Sequence, residues 1–199
     1  MTKIKICGLS KICHIDYVNE AKPDYIGFVF AKSKRQVSLE NAWILRQALN
    51  KDIKAVGVFV NEPLENIVNI VKKQIIEMVQ LHGNENEIFI ENLKSIIDVP
   101  VIKSVKVEKS LDIKKAQESS ADFVLLDSGA GGTGQCFDWN LIEKVSKPFF
   151  LAGGINAANV ERGIKILNPY GIDVSSGVEQ DGDKNREKIL EFVRRVRND

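Results

Sequence analysis

Cysteine is scarce and scattered in this chain. The three thiols, Cys7, Cys13 and Cys136, stand too far apart for a zinc-ligand spacing and form no even disulfide set. A reducing cytoplasm is therefore the expected compartment. Charge of one sign is equally lacking. The net charge is +1, and no basic block, aromatic-basic interleaving or acidic tail argues for a nucleic-acid partner. Long hydrophobic runs are missing too. The apolar stretches are strand-sized, far short of the roughly 20 residues of a membrane span, and the opening residues lack the apolar core of a secretory signal. Only two histidines, His14 and His82, are available for acid–base or metal chemistry. No low-complexity linker divides the chain, so residues 1–199 are expected to form one domain around one core.

What is present is alternation. The segment 3–7 reads as a strand and 10–21 as a helix with Ser10 at its N-cap, closed by Lys22-Pro23. Strands are expected over 25–30, 54–60, 76–81, 100–107, 121–127, 148–152 and 172–174. Helices are expected from Ser38 onward, then over 63–73, 84–97, 109–119, 138–145 (short), 156–166 and 185–197. Eight strand–helix units imply a parallel sheet with right-handed crossovers. An open doubly wound sheet would have fewer strands or larger helices. The fold class is therefore α/β, a single (β/α)8 TIM barrel.

Two strands end on reactive groups. The run Lys3-Ile4-Lys5-Ile6-Cys7-Gly8 stops at a thiol, and Ala121 to Asp127 stops at a carboxyl. In a parallel barrel the strand ends meet at one rim, where active sites are built. If Cys7 points inward, Lys5 and Lys3 share its face while Ile4 and Ile6 face the helices. If Asp127 points inward, Leu125 and Phe123 fill the interior while Leu126 and Val124 face outward. An inward Lys5 is costly unless a carboxylate pairs with it. On residue type alone, Cys7 reads as a small buried apolar residue and Asp127 as a turn-capping carboxylate. Their position at the ends of two barrel strands is what makes them catalytic candidates.

Glycine clusters follow the last strands. Gly129, Gly131, Gly132 and Gly134, with Thr133, follow Asp127. This stretch reads equally as a lid (Gly132, Thr133, Gly134) or as a flexible connection. Leu151-Ala152-Gly153-Gly154-Ile155 follows the seventh strand, and Ser175-Ser176-Gly177-Val178-Glu179 the eighth. Barrels that take phosphorylated substrates often seat the phosphate between these two loops, where unpaired backbone N–H groups favour an anion. Gly153, Gly154, Ser176 and Gly177 are the candidates, and a phosphorylated small molecule is the expected partner.

Lys5-Ile6-Cys7-Gly8-Leu9, Val79-Gln80-Leu81-His82-Gly83, Leu125-Leu126-Asp127, Gly131-Gly132-Thr133-Gly134, Phe137-Asp138-Trp139, Leu151 to Ile155 and Asp173 to Glu179 together resemble phosphoribosylanthranilate isomerase from the first strand to the last. The resemblance implies a (β/α)8 barrel that isomerises N-(5-phosphoribosyl)anthranilate in tryptophan biosynthesis, as a monomer or homodimer, with no metal or organic cofactor. One loop departs from the family pattern. Ala31-Lys32-Ser33-Lys34-Arg35-Gln36 stands where the family more often shows Ser-Pro-Arg and an aromatic, although Arg35 itself aligns.

The implied reaction is an Amadori rearrangement, which needs one acid and one base at neighbouring atoms. By resemblance Asp127 is the general acid and Cys7 the general base. Burial would raise an aspartate from its free pKa of about 4, and a thiol titrating at about 8.5 needs lowering to act as a base. A nucleophilic Cys7 would need a paired histidine, which the sequence does not supply. Arg35 reads as a bidentate clamp for the anthranilate carboxylate or as a solvated surface charge. His82 reads as a wall beside the aromatic ring or as a structural histidine. Asp173 reads as a partner of the substrate amine or as the balance for an inward lysine. Competing readings are another phosphosugar barrel, such as a sugar-phosphate epimerase or indole-glycerol-phosphate synthase, and a non-catalytic phosphate-ligand binder.

Overall fold

The computed structural model describes residues 1–128, 138–142 and 145–197. Eight strands run in parallel and close in chain order: β1 (Lys3–Cys7), β2 (Tyr25–Val29), β3 (Lys54–Phe59), β4 (Met78–Leu81), β5 (Val101–Lys106), β6 (Phe123–Asp127), β7 (Phe149–Leu151) and β8 (Gly171–Val174), with β8 returning to β1. Around them lie α1 (Ile12–Ala21), α2 (Leu39–Ala48), α3 (Leu64–Lys72), α4 (Glu87–Lys94), α5 (Ser110–Glu118), α6 (Val160–Leu167) and α7 (Arg186–Arg197). No helix among the described residues is long and apolar enough to cross a membrane.

Strand alternation sorts the apolar residues into two sets. Tyr25, Val56, Met78, Ile102, Leu125, Phe150 and Ala152 pack inside the barrel, with Phe123 and Tyr170 against them. Ile4, Ile6, Val124 and Leu126 belong to the larger layer between strands and helices. Lys5 faces inward and is fully buried. Lys3 does not fill the interior as expected: it reaches Asp24 at the N-terminal rim (Nζ–Oδ1 2.8 Å) and stays 43% exposed. At that end Tyr25 and Tyr170 share a hydroxyl hydrogen bond of 2.9 Å.

The N-terminal rim carries a repeated device. Asp24, just before β2, accepts the Ile4 N–H of β1 (2.9 Å) and Arg197 at the end of α7 (2.6 Å). Glu77, just before β4, accepts the Ala55 N–H of β3 (2.8 Å) and Arg46 of α2. Asp122, just before β6, accepts the Val101 N–H of β5 (2.8 Å) and Lys94 of α4 (2.6 Å). Each acid's own N–H donates back to the carbonyl of the same residue. An odd strand, the even strand after it and one helix are thereby tied at a single carboxylate.

Several helix starts shift for local reasons. Ser10 is not the cap of α1: its N–H donates to His14 Nδ1 (3.2 Å), and Lys11 occupies the cap position. Ser38 does cap α2, accepting the Asn41 N–H. α4 starts late because the Asn84 N–H is taken by the Asn61 side chain and Asn86 caps the Phe89 N–H. α6 starts late because Asn156 and Asn159 fold the preceding chain into side-chain turns. Of the short helix expected over 138–145, the described residues 138–142 form one 3-10 turn, Trp139–Leu141, with the Asp138 carboxylate accepting the Asn140 N–H. The sequence reading also lacked a two-residue hairpin after the eighth strand, β9 (Glu179–Gln180) with β10 (Asp183–Lys184).

Candidate active site

Cys7 ends β1 at the C-terminal rim and is buried. Gly27 is its register partner on β2. A Cβ at Gly27 would lie 2.7 Å from the Cys7 Sγ, so the sulfur occupies the space that any larger residue would take. One step down the same face, Lys5 donates to Asp173 of β8 (Nζ–Oδ1 2.8 Å), its register partner across the β1–β8 seam. Asp173 is thus the carboxylate that an inward lysine requires. Burial pushes the Cys7 thiol above its ordinary range; Lys5 and Lys184 pull it back, and Asp173 adds to the push. Burial works to strip the proton from Lys5, but Asp173 and Cys7 together outweigh it and push the Lys5 pKa up.

Asp127 ends β6 beside His82, which follows β4 (Oδ2–Nε2 3.8 Å). Gln80, buried inside β4, places its amide nitrogen 3.0 Å from His82 Nδ1. With that amide donating, Nδ1 is the acceptor and Nε2 carries the hydrogen that faces Asp127. Burial lowers the imidazole pKa against the opposing pull of Asp127 and Asp173. His82 also senses the charges of the Lys5–Asp173 pair. The sequence signal for Gln80 is its inward position in a strand of apolar residues.

The loops after β7 and β8 pack back to back. A Cβ at Gly177 would fall 2.0 Å from the Ile155 carbonyl oxygen. Gly153 (φ +77°) and Gly154 (φ +69°) adopt left-handed backbone, and Asn156 and Asn159 hold the Gly154 carbonyl through their amides. Gly153 serves β6 as well: a Cβ there would meet Ser128 N at 2.4 Å and Asp127 Oδ1 at 2.8 Å. Ser176 and Gly177 open a single 3-10 turn, Ser176–Val178. All four candidate phosphate residues therefore lie on two touching loops. Gly132, Thr133 and Gly134 lie outside the described residues.

Arg35 is neither a solvated charge nor an open fork. Its side chain crosses Gly8 (φ +84°), where a Cβ would lie 2.4 Å from Arg35 Cδ. It donates through Nε and Nη2 to the two oxygens of Glu179, at 2.6 and 2.8 Å. Glu179 also accepts from the buried Lys184 (2.7 Å), which in turn reaches the Ser175 carbonyl (2.9 Å). The Ser175 hydroxyl donates to the Cys7 carbonyl. The hairpin thus ties Arg35 to the rim beside Cys7. On its far side Asp183 engages His14 Nε2 (2.9 Å) and Lys11, so His14 has its own partners, Ser10 and Asp183.

The model of the family described as N-(5'phosphoribosyl)anthranilate (PRA) isomerase matches residues 4–195. An N-(5'-phosphoribosyl)anthranilate isomerase of Endomicrobium trichonymphae is 46% identical over 202 residues, covering all of both chains. The crystal structure of phosphoribosyl anthranilate isomerase from Thermotoga maritima superposes with a TM-score of 0.90 at 34% identity, covering all of both chains. A phosphoribosyl anthranilate isomerase structure in complex with reduced 1-(o-carboxyphenylamino)-1-deoxyribulose 5-phosphate superposes with a TM-score of 0.87 at 33% identity, again over both full chains.

Proposed function

From the premise that the chain belongs to the N-(5'-phosphoribosyl)anthranilate isomerase family, and is therefore an isomerase of tryptophan biosynthesis, we propose that it works by an Amadori rearrangement with Asp127 as general acid and Cys7 as general base. The substrate is N-(5-phosphoribosyl)anthranilate and the product 1-(2-carboxyphenylamino)-1-deoxyribulose 5-phosphate. Asp127 gives its proton to the furanose ring oxygen, and the C1–O bond breaks as the amine nitrogen forms a C1=N Schiff base. The Cys7 thiolate then takes the C2 proton, leaving an enolamine. Loss of the C2 hydroxyl proton and protonation at C1 complete the aminoketose.

The observation that carries this reading is a pair of polar contacts on the two strands that end in a thiol and a carboxyl: Lys5, two residues before Cys7 on β1, pairs with Asp173 of β8, and Asp127 at the end of β6 meets His82. The ligand held by the related structure has a phosphate, a secondary amine and an aryl carboxylate. We assign the phosphate to Gly153, Gly154, Ser176 and Gly177, and the aryl carboxylate to the side of Arg35. Asp173 and His82 face the amine and sugar between them. For Arg35 this means a substrate carboxylate joining or displacing Glu179, which already fills two of its donor positions.

The test is the decay of substrate fluorescence with purified protein and no added metal. Cys7→Ser and Asp127→Asn should each reduce kcat by orders of magnitude while leaving substrate affinity close to that of the parent. Near-parental turnover in either variant removes that residue from the chemistry. Tight product binding by the parent protein without turnover would leave a binding protein in place of an enzyme.

A further inference from the structure

Lys5 is a buried cation that the reaction above does not use. Its whole side chain is sealed in the barrel, and Asp173 is held against it at 2.8 Å. Such a pair gives little net stability, because apolar residues of similar size often serve as well or better. Its retention inside a core needs another account. Cys7 lies two residues further along the same strand, so it shares the face of Lys5; both are buried, and the Lys5 charge bears on the sulfur. Gly27 fixes the sulfur from the β2 side. Lys184 from β10 and Arg35 from the loop after β2 also act on Cys7 by charge, and both are bound to Glu179.

We propose that Lys5 is a positioning residue for the Cys7 sulfur: its ammonium, pinned by Asp173, is the counterion that lets a thiolate exist inside the barrel, and Asp173 sets how much of that charge the sulfur receives. The consequence for turnover rests on Cys7 being the base; the effect on the sulfur does not. The two partners of one ion pair then act on the thiol with opposite sign. Removing Lys5 leaves a thiolate with no adjacent cation. Removing the Asp173 charge makes the thiolate the only anion beside Lys5. A purely structural pair would instead give variants that change together.

The experiment is an ultraviolet thiolate titration of the full chain in a Cys13→Ser/Cys136→Ser background, where Cys7 is the only remaining thiol. Lys5→Met should move the midpoint upward, lowering the thiolate fraction at fixed pH by about tenfold or more. Asp173→Asn should move it downward. The double variant Lys5→Met/Asp173→Asn has no unpaired buried charge, which guards against misfolding of Lys5→Met, and should titrate above the parent but no higher than Lys5→Met. Shifts of the two single variants in the same direction, an unmoved midpoint in folded Asp173→Asn, or a double variant that titrates like the parent would each overturn the inference. The acid limb of kcat/KM against pH separates the two claims. If the sulfur midpoints shift as stated while that limb stays fixed, Lys5 still governs the sulfur and the assignment of Cys7 as base fails.

Discussion

Placing one methyl group at Gly27 tests whether the position of the Cys7 sulfur sets the rate. In Gly27→Ala the new Cβ would lie 2.7 Å from Sγ and 3.1 Å from the Cys7 Cα. Comfortable non-bonded separation is about 3.5–4.0 Å, so the sulfur or the β1 backbone must move by roughly 1 Å. Overpacking of this kind costs about 1–3 kcal/mol. For a chain of this size that is a fall in Tm of roughly 2 to 12 °C. The same displacement of a reacting atom costs about a hundredfold in rate. Gly57→Ala is the control. Its Cβ would meet Ile76 at 2.6 Å and Phe59 at 2.8 Å, both in the outer layer, so it should lower Tm by a similar amount and leave kcat within a few-fold. Thermal unfolding and steady-state kinetics on the two variants decide the matter. If Gly27→Ala loses stability but turns over like Gly57→Ala, the sulfur position does not govern the chemistry.

Gly177→Ala should drive the loops after β7 and β8 apart, since its Cβ would fall 2.0 Å from the Ile155 oxygen; KM should rise by roughly tenfold or more, a loss of about 1.4 kcal/mol in binding, and inorganic phosphate should inhibit less well. Unchanged phosphate inhibition in a folded variant would move the phosphate site elsewhere. Arg35→Ala should raise KM more than it lowers kcat, and a loss confined to kcat would contradict a carboxylate clamp. Asp24 and Asp122 are held below the usual aspartate range: burial works to raise each, and it is outweighed by Lys3, Ile4 and Arg197 at Asp24 and by Lys94 and Val101 at Asp122. A depressed folded-state pKa gives stability that is complete above the unfolded value of about 3.9 and is lost as pH falls through the folded value. Urea midpoints should therefore decline below about pH 4, and Asp24→Asn/Asp122→Asn should flatten that decline. An unaltered acid slope in the double variant would place the acid sensitivity elsewhere.

The barrel was legible in the sequence because each strand–helix unit carries its own local signal, and eight in a row leave few ways to close. The inward face of β1 was legible at Lys5, down to the cost of burying it, but not at Lys3, which turns to Asp24 at the rim. Its partner Asp173 could be suggested only as one of two roles, because a register between the first and last strands leaves no trace in local periodicity. The Arg35–Glu179 fork was missed on similar grounds. Its partners are 144 residues apart, and Glu179 belongs to a hairpin whose strands are two residues long, too short for any alternating pattern. Gln80 was passed over because a lone inward amide in a buried strand resembles a tolerated exception until His82 is seen beside it. The starts of α4 and α6 moved where asparagine side chains compete for backbone donors, and that of α1 where the His14 ring takes the Ser10 N–H.

The acids at the N-terminal rim fasten the strands two by two: first with second, third with fourth, fifth with sixth. The seventh and eighth strands are preceded by Pro148 and Tyr170 and, among the described residues, receive no such clasp. That quarter of the wall also bears Gly153, Gly154, Ser176 and Gly177. Amide hydrogens of β7 and β8 should therefore exchange with solvent sooner than those of the six fastened strands, so that the softest stretch of staves lies directly beneath the loops assigned to the phosphate.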